Sequence, residues 1–152
     1  MSAVWFLGID FGTTMSTGAY LRDGRIHDVE RSGRNRIPSA VLLDEDGVLV
    51  GGEAALNQAA MFPDRADRTP KVSLGGPAPL LLGPEPVPVP TAVAQILTLL
   101  LEEGVRCHEG EPPTRVALTH PARWSDHRTA ALREAAAAAG IAEPELVPEP
   151  VA

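Results

Sequence analysis

Residues 4–30 read VWFLGIDFGTTMSTGAYLRDGRIHDVE, and this stretch decides the fold. The run from Val4 to Ile9 is short, β-branched and aromatic, and it ends in a polar turn, as a buried strand does. A second strand is predicted from Ser16 to Leu21. Asp23-Gly24 is a two-residue hairpin signal, and residues 25–30 alternate as a third strand would. The opening of the chain therefore predicts an antiparallel meander of three strands.

The middle of the chain predicts a second hairpin and a short helix. Residues 38–43 and 48–51 flank an acidic turn that ends in glycine, and a helix is expected over Glu53 to Met61. The segment from Gly75 to Pro90 is dense in proline and glycine, which favours a loop with polyproline-type extension. We expect it to be a reduced insertion.

The last third of the chain predicts helices packed on a sheet. Thr91 is predicted to cap a helix with an apolar stripe at i, i+3, i+4, i+7 and i+8 spacing. A strand is expected at Val116–Thr119, ended by Pro121, and an alanine-rich helix is expected between an N-cap at Ser125 and a C-cap at Gly140. With a short final strand near residues 146–147, the order of elements predicts an α/β fold built on a mixed sheet.

The composition and net charge of the chain argue against nucleic-acid binding and membrane functions. The 152 residues suit about one domain, and the net charge of −7 offers no basic field for nucleic acid or an anionic membrane. The single Cys107 cannot form an internal disulfide and is expected to be a buried thiol. Because the opening apolar run is short and no basic residues precede it, it predicts neither a signal peptide nor a membrane span. We expect a cytoplasmic protein.

The turn after the first strand, Asp10-Phe-Gly-Thr-Thr14, has the chemistry of a polyphosphate site. A glycine lets the backbone approach an anion, threonines offer hydroxyl and amide donors, and an aspartate at a strand end can hold hydrated Mg²⁺. Taken alone, so short a motif more often only closes a hairpin. The P-loop and the Gly-x-Gly-x-x-Gly dinucleotide fingerprint do not occur in the sequence.

Five segments in a fixed order resemble the seventy-kilodalton heat-shock (DnaK-like) chaperones of the actin, sugar-kinase and chaperone ATPase superfamily. The first is GIDFGTTMS from Gly8, and the second is RIPSAV from Arg36 together with VGGEAALNQAA from Val50. The third is KVSLG from Lys71. The fourth is VALTHPARWSD from Val116 together with the alanine-rich helix after it, and the fifth is EPVA from Glu149. Order and approximate spacing agree over nearly the whole chain. The resemblance implies a ribonuclease-H-like sheet and makes residues 1–152 most of the first lobe of an actin-like ATPase domain, with residues 75–90 as a small outer insertion.

The resemblance also implies roles for individual residues. Lys71, the only lysine in the chain, would approach the γ-phosphate of ATP and the attacking water. Asp10 and Glu149 would reach Mg²⁺ through water. Pro121 matches the hinge proline that couples nucleotide state to the neighbouring domain. The remaining nucleotide contacts, those to ATP or ADP, would come from Gly12, Thr13, Thr14 and Met15.

Several residues depart from the pattern of the family. Met15 stands where the family often has an aromatic residue, and Glu145 stands where the chaperones carry an arginine that relays signals between domains. Pro148 replaces the asparagine of the acidic segment. These departures place the usual coupling between domains in doubt.

The function predicted from the resemblance is Mg²⁺-dependent ATP hydrolysis by a chaperone, of which this chain would be an N-terminal fragment. Partners would be the remaining ATPase lobe, a substrate-binding domain, client proteins and co-chaperones. Two alternatives remain open. One is a sugar-kinase or acetate-kinase lobe, which begins with a similar turn, and the other is a degenerate nucleotide-sensing or protein-interaction module without catalysis.

Overall fold

The computed structural model describes residues 4–149. Within that range the chain forms eleven strands and three α-helices. The strands are β1 (Phe6–Asp10), β2 (Met15–Arg22), β3 (Arg25–Asp28), β4 (Ile37–Pro38), β5 (Val41–Leu43), β6 (Leu49–Gly51), β7 (Ala66–Asp67), β8 (Leu80–Leu82), β9 (Glu85–Val87), β10 (Arg115–Pro121) and β11 (Glu145–Glu149). The helices are α1 (Glu53–Ala59), α2 (Val89–Cys107) and α3 (Asp126–Ala138).

The main sheet is mixed, as the sequence predicted. Its strands run in the order β11-β10-β1-β2-β3, with the short β4 added beside β2. The meander β1-β2-β3 is antiparallel, whereas β10 and β11 are parallel to β1. Parallel strands need a long crossover, and the connection from β3 to β10 supplies it with α2. Two smaller sheets, β6-β5-β7 and the hairpin β8-β9, lie within this connection.

Both long helices pack on one face of the main sheet. Leu7 and Ile9 of β1 and Leu118 of β10 point toward them and are buried in the same core as α2 and α3 residues such as Leu97 and Leu132. Alternate residues of a strand face opposite ways. The other face therefore carries Gly8, Asp10, Ala117 and Thr119, and we call it the open face. Among residues 4–149, no helix is both long and apolar enough to cross a membrane.

The predicted caps of α3 are confirmed. The Ser125 side chain accepts a hydrogen bond from the backbone N–H of Arg128 at 3.4 Å, and Asp126 lies in the first turn, where its charge suits the helix dipole. At the other end, Gly140 follows the last turn, and the N–H of Ile141 bonds back to the Ala136 carbonyl at 2.8 Å. These local signals set both ends of the helix.

The expectation of a loop over residues 75–90 is wrong in part, because β8 and β9 form a hairpin there. Leu80, Leu82 and Val87 are buried in the core. Pro86 lies in β9, which has one neighbour, and a proline is tolerated in such an edge strand. Burial of these apolar side chains outweighs the local preference of the prolines for an extended, unpaired chain.

Two smaller expectations are also wrong. The helix predicted to start at Thr91 begins at Val89, and Thr91 makes no capping bond. Pro90 is tolerated in the first turn of α2 because backbone N–H groups in the first turn of a helix make no hydrogen bond within the helix, so the missing N–H of proline costs nothing there. The thiol of Cys107 is exposed, not buried, since it lies at the end of α2 away from the apolar stripe.

Candidate functional site

The turn between β1 and β2 is a tight bend whose geometry requires glycine. A Cβ atom added to Gly12 would lie 2.0 Å from the backbone oxygen of Met15, far inside van der Waals contact. The Gly12 N–H points back into the bend and donates to Ser16 Oγ at 3.3 Å. A side chain at this position would open the bend.

Two buried serines attach the bend to the rest of the fold. The hydroxyls of Ser16 and Ser39 are 2.7 Å apart and hydrogen-bonded. The N–H of Ser39 also donates to the carbonyl of Thr14 at 2.8 Å, which ties the segment after β4 to the end of the bend. The side chains of Thr13 and Thr14 remain exposed, as does that of Met15. The bend is thus anchored from below while its hydroxyls face solvent.

Lys71 lies against this bend, although 59 residues separate it from Gly12 in sequence. It belongs to a 3-10 turn, Pro70–Ser73, and is only 8% exposed. Its Nζ atom is 5.9 Å from the centroid of the Phe11 ring and 5.5 Å from the centroid of the Trp124 ring. The structure therefore brings the lysine and the bend together, on the helix side of the sheet.

The Lys71 ammonium has no counter-charge within the described residues. No ion pair or hydrogen bond joins its Nζ to any side chain of residues 4–149, and the two aromatic rings are the groups that stabilise it. The residue as a whole is 8% exposed, and cation–π contacts of this kind contribute only modestly to stability. A cation that lies beside an exposed turn and has no carboxylate partner is free to bind an anion such as phosphate.

The predicted carboxylates lie on the open face at the same edge. The strands β1, β10 and β11 are parallel, so their carboxyl ends meet there, and ligands of α/β sheets bind at such edges. Thr119 Oγ1 donates to Asp10 Oδ1 at 2.9 Å, which orients the carboxylate. Glu149 is in register with Pro121, two residues beyond the pair Thr119–Val147. Asp10 and Glu149 are therefore on one face, with β10 between them.

The predicted hinge, Pro121, lies at this edge too. It is the last residue of β10, and its carbonyl accepts a hydrogen bond from His120 Nδ1 at 2.9 Å. The His120 ring stacks near Trp124, with 6.1 Å between centroids. Through Trp124, Pro121 is linked to the surroundings of Lys71. The residues of the predicted acidic segment after Glu149 lie outside the described range.

A cavity of about 470 Å³ covers this end of the open face. Its lining includes Asp10, Thr17, Asn35, Arg36 and Thr119. A larger cavity of about 650 Å³ lies at the opposite end of the parallel strands, between Leu101, Arg115 and Ile141. It contains none of the predicted site residues and lies where parallel sheets rarely bind ligands. The smaller cavity contains one of them, Asp10, whereas Lys71, Glu149 and residues 12–15 do not line it. The smaller cavity is therefore the candidate for the Asp10 side of the site.

The donor set at the smaller cavity fits Mg²⁺ that arrives with a phosphate ligand. Within residues 4–149, no group of three or more His, Cys, Asp or Glu side chains could hold a metal ion by itself. Magnesium is commonly held by one or two carboxylates plus substrate phosphates and water. Asp10, fixed by Thr119 and exposed to solvent, can supply one such carboxylate.

Sequence reasoning missed three residues of this site. Thr119 orients Asp10, Trp124 covers Lys71, and Arg128 bonds to the chain just after Lys71. Thr119 could have been found because alternation along the strand places it on the face of Asp10. Nothing in the sequence pairs Trp124 or Arg128 with Lys71, since that contact depends on tertiary packing.

Comparison with curated proteins decides the family. "Heat shock 70 kDa protein BIP3" of Oryza sativa subsp. japonica is 29% identical and "Chaperone protein DnaK" of Picrophilus torridus is 30% identical, each over 96% of this chain. The chain belongs to the heat-shock 70 (DnaK) family. "Chaperone protein DnaK" of Cenarchaeum symbiosum agrees, with 26% identity over 96% of the chain. No protein-family model matches the chain.

The match to heat-shock 70 proteins is partial on their side. The chain spans about a quarter of the length of these relatives, from 23% to 26%. The chaperone family predicted from the motifs is therefore confirmed, and so is the mixed α/β sheet. The roles of individual residues stay predictions.

Proposed function

We propose that this chain is the first lobe of a heat-shock 70 ATPase domain, built on a ribonuclease-H-like sheet, and that it takes part in Mg²⁺-dependent ATP hydrolysis. The observation that carries the proposal is Lys71, a residue only 8% exposed, whose ammonium has no ion pair in residues 4–149 and lies 5.9 Å from the centroid of the Phe11 ring, next to the glycine bend. A terminal phosphate bound at the bend would supply the counter-charge that the described residues lack.

Each residue has a distinct task in this proposal. The backbone at Gly12 and the exposed hydroxyls of Thr13 and Thr14 bind phosphate oxygens, with Met15 beside them. Lys71 stabilises the negative charge that develops as water attacks the γ-phosphorus in line. The reaction needs positioning and electrostatic stabilisation but no covalent intermediate.

The carboxylates of Asp10 and Glu149 would hold Mg²⁺ through its water ligands. When bound, the metal ion neutralises phosphate charge. Thr119 keeps Asp10 Oδ1 directed along the open face through the 2.9 Å hydrogen bond. In this proposal the Lys71 ammonium acts from the helix side of the bend, and the two carboxylates act from the open face.

The proposal includes the partners of a chaperone. They are the second ATPase lobe, a substrate-binding domain, clients and co-chaperones, with Pro121 as the hinge that senses nucleotide state. Pro121 is suited to this because it lies beside Glu149 in register and its neighbour His120 packs on Trp124. Glu145, on the same strand as Glu149, carries the opposite charge to the arginine of the resemblance, so interdomain signalling by that residue is not proposed.

Single-turnover ATP hydrolysis by the full-length protein, with and without Mg²⁺, tests the proposed function. We expect hydrolysis in water alone and no stimulation by hydroxyl acceptors such as sugars or acetate. A higher rate of ADP production in the presence of a hydroxyl acceptor would instead assign the lobe to a kinase. Tight ATP binding with no hydrolysis at saturating Mg²⁺ would assign it to a nucleotide-sensing module.

The chain of 152 residues by itself is expected to bind ATP weakly, with a dissociation constant above the micromolar range. The cavity at the site has no aromatic ring in its lining to stack on a purine, so the contacts are to phosphates. Tripolyphosphate with Mg²⁺ should therefore displace ATP from this chain as well as ATP itself does. Calorimetric titration checks both points, and micromolar or tighter binding of adenosine would contradict this assignment.

Thr119→Val is expected to weaken Mg²⁺-dependent ATP binding by about tenfold, or ~1.4 kcal/mol, because Asp10 loses its only side-chain hydrogen-bond donor within the described residues. Thr17→Val is the matched control, since Thr17 lines the same cavity without such a bond. Titrations of the full-length protein with and without Mg²⁺ measure the effect. An equal loss of affinity without Mg²⁺ would show that Asp10 does not act through the metal.

A further inference from the structure

The chain directly after Lys71 is tied to helix α3 by one side chain. Arg128 donates from Nε to the carbonyl of Leu74 at 3.1 Å and from Nη2 to the carbonyl of Val72 at 2.9 Å. The two carbonyls flank Ser73, the last residue of the 3-10 turn that carries Lys71. A planar guanidinium can hold two acceptors at once in a fixed geometry, which fixes the direction of the segment.

Gly75 adapts the segment to this contact. Its φ of +86° lies in the left-handed region, and a Cβ atom there would be 2.8 Å from Arg128 Cγ and 3.1 Å from Arg128 Cα. Only a residue without a side chain can lie so close to the helix in this conformation. The backbone of residues 72–75 and the stem of Arg128 are therefore in direct contact.

The same arginine is near the ring that covers Lys71. Arg128 Cζ is 5.2 Å from the centroid of Trp124, and Lys71 Nζ is 5.5 Å from that centroid. Arg128 thus contacts the lysine segment in two ways, through backbone carbonyls after it and through the aromatic ring beside it. It is not a counter-charge, because it is itself a cation.

The position of the Lys71 ammonium requires such a restraint. A lysine has a long flexible stem, and its charged end gains free energy by moving into water. Within the described residues no ion pair holds Nζ beside the rings of Phe11 and Trp124. The direction of the turn and the two rings must hold it, and the turn is closed by the bond from the Leu74 N–H to the Lys71 carbonyl at 3.1 Å.

We propose that Arg128 is a positioning residue that keeps the ammonium of Lys71 directed at the glycine bend. The effect of Arg128 on hydrolysis rests on the proposed function, whereas the effect of Arg128 on the position of Lys71 does not. Loss of the two hydrogen bonds lets residues 72–75 move away from α3, and the Lys71 side chain turns toward solvent. The phosphate site then loses its cation while its bend stays intact.

The experiment uses the fact that Lys71 is the only lysine in the sequence. Acylation of this one side-chain amine, followed by mass spectrometry, and the ¹H shift of its ε-methylene group both report its surroundings without overlap. The variant is Arg128→Met, which keeps the unbranched stem and removes the donors. Arg133→Met is the matched control, because Arg133 is also on α3 and donates to a backbone carbonyl, that of Pro144, away from Lys71.

For Arg128→Met we expect acylation of Lys71 to become faster by on the order of tenfold, as a side chain from a residue only 8% exposed becomes accessible. The ε-methylene shift should lose the upfield displacement caused by the rings of Phe11 and Trp124. Arg133→Met should change neither. In the full-length protein, kcat should fall about tenfold or more with little change in KM for ATP, because the ammonium acts on the transition state.

Unchanged acylation and shift in Arg128→Met would overturn the proposal. If both change while kcat does not, the positioning role stands and the catalytic role of Lys71 is wrong. Amide spectra confirm that each variant is folded. If Arg128→Met does not fold, Arg128→Gln replaces it, because glutamine retains one amide donor. For Arg128→Gln we expect an acylation rate between those of the wild type and an unfolded chain. A wild-type rate would refute the role of Arg128.

Discussion

Lys71→Ala in the full-length protein is expected to lower single-turnover ATP hydrolysis by roughly 10²- to 10³-fold while ATP affinity changes little. Lys71 is largely buried, and its ammonium has no carboxylate partner in the described residues and lies beside the bend. It can therefore act on charge that develops during the reaction. Quenched-flow measurement of ADP together with equilibrium titration of ATP separates the two quantities. An unchanged rate of hydrolysis would remove Lys71 from the mechanism.

Lys71→Met distinguishes a catalytic lysine from a structural one. Replacing this largely buried lysine, which has no ion pair in the described residues, by an apolar side chain of similar length should leave the free energy of unfolding of this chain within about 1 kcal/mol of the wild type, or raise it. Thermal unfolding of the 152-residue chain measures this. A large loss of stability in Lys71→Met, together with loss of hydrolysis, would mean that the lysine supports the fold and not the reaction.

Gly12→Ala is expected to lower the free energy of unfolding of this chain by about 3 kcal/mol or more, equivalent to a fall in Tm of roughly 10 °C. The added Cβ would lie 2.0 Å from the Met15 backbone oxygen, and backbone on both sides of the bend must move to relieve the clash. The same movement would break the hydrogen bond from Gly12 to Ser16 and displace Thr13 and Thr14. ATP binding by the full-length protein should be lost.

Gly8→Ala is the matched control for the glycine bend. Gly8 lies on the same strand as Asp10, and the nearest atom to its added Cβ would be the backbone oxygen of Ala19 at 3.9 Å, an ordinary contact. Its stability should differ from the wild type by less than about 1 kcal/mol. Equal effects of the two substitutions on Tm would contradict the assignment of a special geometry to Gly12.

Much of the fold could be predicted because its signals are local. The turn Asp23-Gly24 set the first hairpin, and Ser125 and Gly140 set the ends of α3 through caps that involve residues within one turn. The apolar run from Val4 to Ile9 predicted a strand that ends in a polar turn, and β1 (Phe6–Asp10) confirms that strand. Such features depend on neighbours in sequence, so a single sequence contains the information that determines them.

The errors arose where distant packing competes with local preference. The prolines of residues 84–90 favour an extended loop, but Leu80, Leu82 and Val87 fill a part of the core that the rest of the chain leaves open, and the hairpin β8-β9 results. Cys107 was expected inside because cysteine is usually buried. Its place on the last turn of α2 faces solvent, and the rotation of that helix follows from its apolar stripe, not from the residue type.

The sequence by itself determined the family, the opening meander, both ends of α3 and the position of the glycine bend, since motifs and caps are read from neighbouring residues. The tertiary structure alone decided that Lys71, from a turn far along the chain, lies between Phe11 and Trp124, and that Arg128 holds the segment after it. The physical reason is that a contact between distant residues depends on how helices and sheet pack around a shared core, and that packing minimises free energy over the whole chain at once.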